Sequence, residues 1–283
     1  VDRDHRVLAF VSYRSLREAL VNYYERYQIK LNASEIIVPE PAYANYMSFA
    51  ISAGAIRTVV TTIEEGFCLP HVDKFEKLIN ERTKAILICN PNNPTDYLYT
   101  QREMNWICDF VKRYNLYLFS DEVYREFIYT GFPYISAMQL DGIEQHVVLI
   151  DSVSKCYSEC GIRIGALITK NEQVSKTVMS SAGATESSVV GLASGRDFHL
   201  EGTEQYSREV YDEYVKRRKC MIDSVNRALS CYTPGAYGRV LQGGKAAVVG
   251  ETIMQASAAG FYTSPDLGKD QVRLAYVLCK EDL

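Results

Sequence analysis

The chain has 283 residues, 47% of them hydrophobic and 23% charged, enough to bury a core and to divide into two domains. A formal charge of -4 offers no clustered cationic surface for a phosphate backbone, so nucleic acid is not expected as a partner. No apolar run approaches the ~18 residues of a membrane span, and the start "VDRDHRVLAF" lacks the pattern of an export signal, so a membrane is not expected either and the cytoplasm is the expected compartment.

Taken in chain order, "SYRSLREALVNYYERYQ" places Leu16, Leu20, Tyr23 and Tyr27 at helical spacing and predicts an amphipathic helix. A β-like "EIIV" (35–38) follows, then "PEPAYANY", rich in turn formers and aromatics, then a second β-like stretch, "IRTVVTT" (56–62). Three unbroken apolar runs come next: "KAILIC" (84–89), "NLYLFS" (115–120) and "VVLIDS" (147–152). Continuous rather than alternating hydrophobicity predicts strands buried on both faces, as in a parallel sheet. Between the first two, "TQREMNWICDFVKRYN" carries a capping-box pattern at Thr100 and Glu103, with Trp106, Phe110 and Val111 on an inner face, which predicts a β-α-β unit. The interval 121–146 reads as irregular, "IGALITK" (164–170) as a further strand, and "EQYSREVYDEYVKRRKCMIDSVNRAL" (204–229) as a long charged helix leading into a second domain. Near the end, "KAAVV", "GETIMQASA" and "QVRLAYV" read as strand, helix and strand. The eight scattered cysteines lack paired metal-type spacing and read as core thiols, and the four histidines stand apart from them and from one another, so no metal site is expected.

Each central strand runs into a polar cluster: "NPNNPT", "DEVY" and "DSVSK". The carboxyl ends of parallel strands open onto one crevice, which would gather Asn93, Asp121, Tyr124, Ser152 and Lys155. That set suits a lysine Schiff base with a pyridine cofactor. Asp121 would face the ring nitrogen, Asn93 and Tyr124 would donate to the ring oxygen, and Arg163 and Ser152 would hold a phosphate. A Ser-x-x-Lys hydrolase reading of "SVSK" (152–155) also exists, but the companion Ser-Asp-Asn and Lys-Thr-Gly motifs are missing.

"NPNNPT", "SDEVYREF" and "SVSKCYSECGIRIG", in this order and spacing, resemble the large domain of class I/II aminotransferases, fold type I pyridoxal-phosphate enzymes of the aspartate and aromatic aminotransferase kind. The resemblance implies an α/β fold with a mostly parallel central sheet, helices on both of its faces, and a smaller C-terminal α+β domain. Domains are expected at 1–203 (large, cofactor-binding) and 204–283 (small). It implies pyridoxal 5'-phosphate as cofactor, Lys155 as the Schiff-base lysine, Asp121 and Tyr124 beside it in catalysis, and Tyr43 of "PEPAYANY" stacked on the ring. Asn93, Ser152 and Arg163 complete the cofactor contacts. Arg273 of "QVRLAYV" would grip the substrate carboxylate together with Asn93. The implied reaction moves an amino group between an amino acid and a 2-oxo acid in a homodimer. Other fold type I reactions (C–S lysis, decarboxylation, racemisation) and a degenerate binding protein stay open at this point.

Members of the family are longer. The Gly-rich turn and helix expected between "EII" and "VPEPAY" are absent, as is the N-terminal arm, so segments are expected to be missing near 8–14 and 35–41. Asp96 stands where the family has glycine, at a position that often needs positive φ.

Overall fold

The computed structural model describes residues 6–7, 31–32, 34–53, 55–161, 164–182, 203–230, 245–248, 251–254 and 256–275. The chain divides into two units, Val1–Ser194 and Gly195–Leu283. The sequence-based boundary was at 203/204.

In the first unit, β1 (Arg6–Val7) pairs in parallel with β2 (Leu31–Asn32). There follow β3 (Glu35–Glu40), α1 (Ala44–Ala53), β4 (Ala55–Val60), α2 (Val72–Glu76), β5 (Thr83–Cys89), α3 (Gln101–Tyr114) and β6 (Tyr117–Asp121). A 3-10 turn at Ala137–Gln139, β7 (Val147–Ser152), α4 (Val153–Cys156), β8 (Gly165–Ile168) and α5 (Glu172–Ala182) complete it. Six strands form one sheet in the order β4-β3-β5-β6-β7-β8. All pairings are parallel except the last, where β8 runs antiparallel to β7. An α/β fold with a mostly parallel sheet is the architecture expected of the sequence.

Alternation along the strands explains why helices cover both faces. Ile37, Ile86, Leu118 and Val147 are register partners across β3, β5, β6 and β7, and all are buried. They pack with Met104, Ile107, Phe110 and Val111 of α3 and with Phe75 of α2. The intervening Ile36, Val38 and Leu87 face the other way, against Met47 of α1. Period-two side chains on strands thus give each face its own apolar layer. Trp106 packs on the first layer without being fully buried, its ring 4.8 Å from that of Phe75.

The α3 helix starts with the capping box predicted for it: Thr100 accepts from the Glu103 N–H and the Glu103 carboxylate accepts from the Thr100 N–H. Asn115 ends it in the left-handed conformation, φ 51°. Within the span where an omitted segment is expected, Glu35–Glu40 forms the strand β3. Residues 8–14, and the helix read from 12–28, lie outside the described residues. Two features went unread in the sequence: α1, which follows directly on "PEPAY", and α2. Within 121–146, past the end of β6 at Asp121, the only regular element among the described residues is the 3-10 turn.

In the second unit, α6 (Thr203–Ser230) is the long charged helix. The hairpin of β9 (Lys245–Val248) and β10 (Glu251–Met254) corrects the helix expected over "GETIMQASA". Thr252 and Ile253 are β-branched, only two residues separate the paired Val248 and Glu251, and so short a stretch cannot recover the cost of helix nucleation alone. Next come β11 (Ala256–Ser257), a 3-10 turn at Ala258–Phe261, and β12 (Val272–Arg273), which pairs antiparallel with β11. Gly268 has φ +69°, and a Cβ there would lie 2.7 Å from the Ala258 backbone, so only glycine fits that turn.

The reading of the cysteines as core thiols needs correction. Cys89, Cys108 and Cys156 are buried, but Cys160 is exposed and Cys68 and Cys220 are half-buried. Cys160 follows α4 in a turn, and Cys220 sits on the charged helix α6, so neither has an apolar run around it. Cys231 and Cys279 lie outside the described residues.

Candidate active site

Asp121 is the last residue of β6, at the carboxyl edge of the sheet, and is only 8% exposed. One carboxylate oxygen accepts the Tyr46 hydroxyl and the other accepts the Val123 N–H at 3.2 Å. Among the described residues it forms no ion pair. Burial raises its pKa above the ordinary aspartate range; the two hydrogen bonds oppose that rise, and the neighbouring charges of Asp151 and Glu122 add to it.

Tyr46, on the first turn of α1, is the site residue the sequence reading missed. It stands three positions after Tyr43, and their rings meet edge to face at 5.4 Å. The signal was a second aromatic one helical turn after the first, but its partner lies 75 residues away in sequence. Burial and then the nearby Cys89 and Asp121 hold the Tyr46 hydroxyl in its neutral, donating form. Cys89 sits beside it at the end of β5; burial and the Asp121 charge push this thiol up to about 12, against the pull of Tyr46 and of the Asn93 backbone N–H. Asn93, Cys89, Tyr46 and Asp121 therefore lie in one connected set. Tyr43 is exposed, and its hydroxyl accepts from Asn45 at 2.9 Å.

The "NPNNPT" turn is held from both sides. Asn92 donates to the Pro41 carbonyl (3.2 Å) and to Thr95 (2.8 Å), and Asn90 donates to Ile135 (3.1 Å). The bond to Pro41 joins the turn to the segment that carries Tyr43. Asp96 adopts φ 59°, the left-handed conformation anticipated for the position where the family has glycine.

Lys155 lies on α4, exposed, with its Nζ 5.6 Å from the centre of the Tyr124 ring. Ser152 caps that turn: its hydroxyl accepts from the Ser154 N–H (3.0 Å) and lies 2.8 Å from the Ser154 hydroxyl and 3.1 Å from the Ile164 carbonyl. Residues 122–125 are fixed by Glu122, a residue given no role from sequence. Its buried carboxylate accepts from Ser120 (2.9 Å), Ser136 (2.7 Å), the Ala137 N–H (2.8 Å) and Tyr134.

The structure thus joins Asp121 with the Asn93 backbone through Tyr46 and Cys89, and it joins Lys155 with Tyr124. Arg163 lies outside the described residues. Arg273 belongs to the second unit, in β12, with its guanidinium 5.1 Å from the centre of the Phe261 ring. Among the described residues no cluster of three metal-ligating side chains occurs, and no helix is long and apolar enough to cross a membrane.

A buried carboxylate with uncharged donors, a reachable amine beside a phenol, and an asparagine turn at the carboxyl edge of a parallel sheet narrow the comparison with known proteins. The family profile "Aminotransferase class I and II" matches residues 2–280. The chain belongs to the class I and II aminotransferase family. Among curated relatives of this aminotransferase-family chain, the aromatic-amino-acid aminotransferase 2 of Thermococcus litoralis is 30% identical over 194 residues, 68% of this chain and 50% of that protein. The aspartate aminotransferase of Pyrococcus abyssi is 29% identical over 198 residues, 69% of this chain and 51% of that protein. The chain spans about half the length of the curated relatives it matches. Among solved structures, the aspartate aminotransferase of Thermus thermophilus with maleate superposes with a TM-score of 0.71 at 22% identity, over 94% of this chain and 71% of that one, a likeness of fold.

Proposed function

We propose that this chain transfers an amino group between an amino acid and a 2-oxo acid, with pyridoxal 5'-phosphate as cofactor and Lys155 as the residue that holds it covalently. The observation that carries the reading is Asp121. A carboxylate that is 8% exposed and satisfied only by a phenol and an amide among the described residues is costly to ionise. A ring N–H bearing positive charge would offset that cost, so the residues present fit a protonated pyridine. The donor set fits in the same way. Tyr124 lies against Lys155, and Tyr43 offers an exposed aromatic face next to Tyr46.

When bound, the cofactor supplies an electron-withdrawing heterocycle that accepts charge from the substrate's α-carbon. Asp121 would keep the ring nitrogen protonated, Asn93 and Tyr124 would donate to the ring oxygen, and Ser152 and Arg163 would hold the phosphate. Lys155, once free, would move the α-proton as a general base, and its exposure gives it the reach to do so. Arg273 would orient the substrate carboxylate as a two-pronged donor. The substrates would be small amino and 2-oxo acids. The working form would be a cytoplasmic homodimer, and residues 1–203 and 204–283 would act as the large and small domains.

The experiment is to add pyridoxal phosphate to the protein and to its Lys155→Ala variant and record the visible spectrum, then supply an amino acid and a 2-oxo acid and assay the exchanged products. The expected result is a visible band and exchange in the parent protein and neither in the variant. A band of equal strength in both removes Lys155 from the chemistry.

A further inference from the structure

We propose that the ion pair between Arg125 and Asp151 is a clamp that positions Tyr124 against Lys155, two positioning residues that act on the site without touching its ligands. The inference rests on the reading of Lys155 as the cofactor-bearing lysine. Arg125 immediately follows Tyr124, and Asp151 lies four residues before Lys155. The Arg125 guanidinium meets the Asp151 carboxylate at 2.6 Å, with the side chains 29% and 17% exposed. Such partial burial keeps the pair from being screened as a surface contact would be.

Both ends of the clamp are anchored. On the Tyr124 side, Glu122 is fixed by its four carboxylate bonds, and its N–H donates to the Ile150 carbonyl at 2.9 Å. The turn then closes with the Arg125 N–H on the Glu122 carbonyl (3.1 Å) and the Phe127 N–H on the Tyr124 carbonyl (2.9 Å). Tyr124 is therefore held between an anchor at 122 and a clamp at 125. On the lysine side, the same Asp151 oxygen that meets Arg125 accepts the Ser152 N–H at 2.7 Å. Ser152 caps the single turn that carries Lys155, and the buried Cys156 pins that turn by donating to the Ser152 carbonyl at 3.2 Å. One carboxylate oxygen thus ties the start of the lysine's turn to the residue beside the tyrosine. Arg125 also reaches Glu126 at 3.5 Å, but that exposed neighbour is on the same turn and cannot join the two segments. Burial loosens the hold of Arg125 on its proton, but Asp151 above all, then Cys156 and Glu126, outweigh it, so the guanidinium stays charged.

The consequence is measurable in the cofactor-loaded protein. Donation by Tyr124 to the cofactor's ring oxygen favours the unprotonated state of the lysine nitrogen, so a displaced Tyr124 raises the pH at which the visible band changes. Asp151→Asn, Arg125→Gln and the double variant are each loaded with pyridoxal phosphate, and the band is titrated. The expected result is an upward shift of the midpoint by about one unit in each single variant, a factor of ten in proton affinity, with no further shift in the double variant. Arg125→Lys keeps the charge and the fold but loses the planar fork, and a smaller shift in the same direction is expected from it. Variants that carry the cofactor on Lys155 with an unchanged midpoint, Arg125→Lys included, overturn the clamp. A parent protein with no Lys155-dependent band overturns the underlying functional reading instead, so the two failures are separable.

Discussion

At the scale of single residues, Asp121 sets stability against chemistry. Its pKa is raised, chiefly by burial, above the ordinary value of 3.8. Protonated, the group sits in the sheet at little cost; ionised, it is a desolvated charge. Its contribution to stability is therefore fully present below the ordinary aspartate value and is lost as pH rises through the raised one. Asp121→Asn should then raise the melting temperature of the cofactor-free protein at neutral pH, by roughly 1 kcal/mol of stability, and on the proposed function it should abolish amino-group exchange. The gap between variant and parent should close as the pH of the melting experiment is lowered. Asp96 offers a second test, since its φ of 59° strains any side chain. Asp96→Gly should gain under ~1 kcal/mol in a denaturant titration and Asp96→Val should lose about 1–2. The placement of Asp121 at the end of β6 and of Lys155 in the turn after β7 was legible because polar residues follow a long apolar run in each case, a pattern visible in one dimension. Tyr46 was not, since its bond to Asp121 is formed only when α1 folds over the sheet. Arg125 and Glu122 stayed hidden for the same reason: Asp151 lies on β7, outside the turn that carries Arg125, and three of the four donors to Glu122 come from Tyr134, Ser136 and Ala137.

At the scale of elements, local rules were readable where they were closed within a few residues. The α3 helix carries its own start signal, and Glu103 does more there than cap. Its carboxylate also accepts from the Leu69 N–H (2.9 Å) and the Tyr97 hydroxyl (2.9 Å), fastening the segment before α2 to the start of α3. Thr100→Ala should cost about 1 kcal/mol, the usual loss for a cap. Glu103→Ala should cost more, because it frees four donors at once (the Thr100 N–H and hydroxyl, the Leu69 N–H and the Tyr97 hydroxyl), and urea titrations of both variants check the order. Elements without such closure were misread. The β9–β10 hairpin exists because two strands pair, and neither strand announces its partner in composition. The α1 helix begins immediately after a turn-rich stretch, so its onset was masked by the residues in front of it.

At the scale of the whole molecule, the six-stranded sheet of the first unit keeps the proposed site at one edge and a buried ion-pair cluster at the other. The carboxyl ends carry Asp121, Asn93 and the lysine turn. The amino ends carry Glu35, the first residue of β3, which is 2% exposed and held by Arg57 (2.5 Å), Arg82 (2.5 Å) and Asn80 (2.7 Å). Burial alone would push this carboxyl up, but Arg57, Asn80 and Arg82 outweigh it and hold it below the ordinary value of 4.5. The sign is therefore opposite to that of Asp121: stability from Glu35 is present above the ordinary glutamate value and disappears as pH falls through the depressed one. Glu35→Gln leaves two partly exposed guanidinium groups without their counter-charge, and a loss of about 2 kcal/mol at neutral pH is expected, less than for a fully buried pair because water still reaches the arginines. The parent's advantage should shrink as the solution is acidified. Glu35 and Glu40 close opposite ends of a six-residue strand, about 17 Å apart. At 20 °C, where the variant remains folded, its Lys155-dependent cofactor band and exchange rate should match the parent's. A lowered melting temperature with an unchanged band locates this cluster in the scaffold; a shifted band would mean that strain travels the length of β3 to the site.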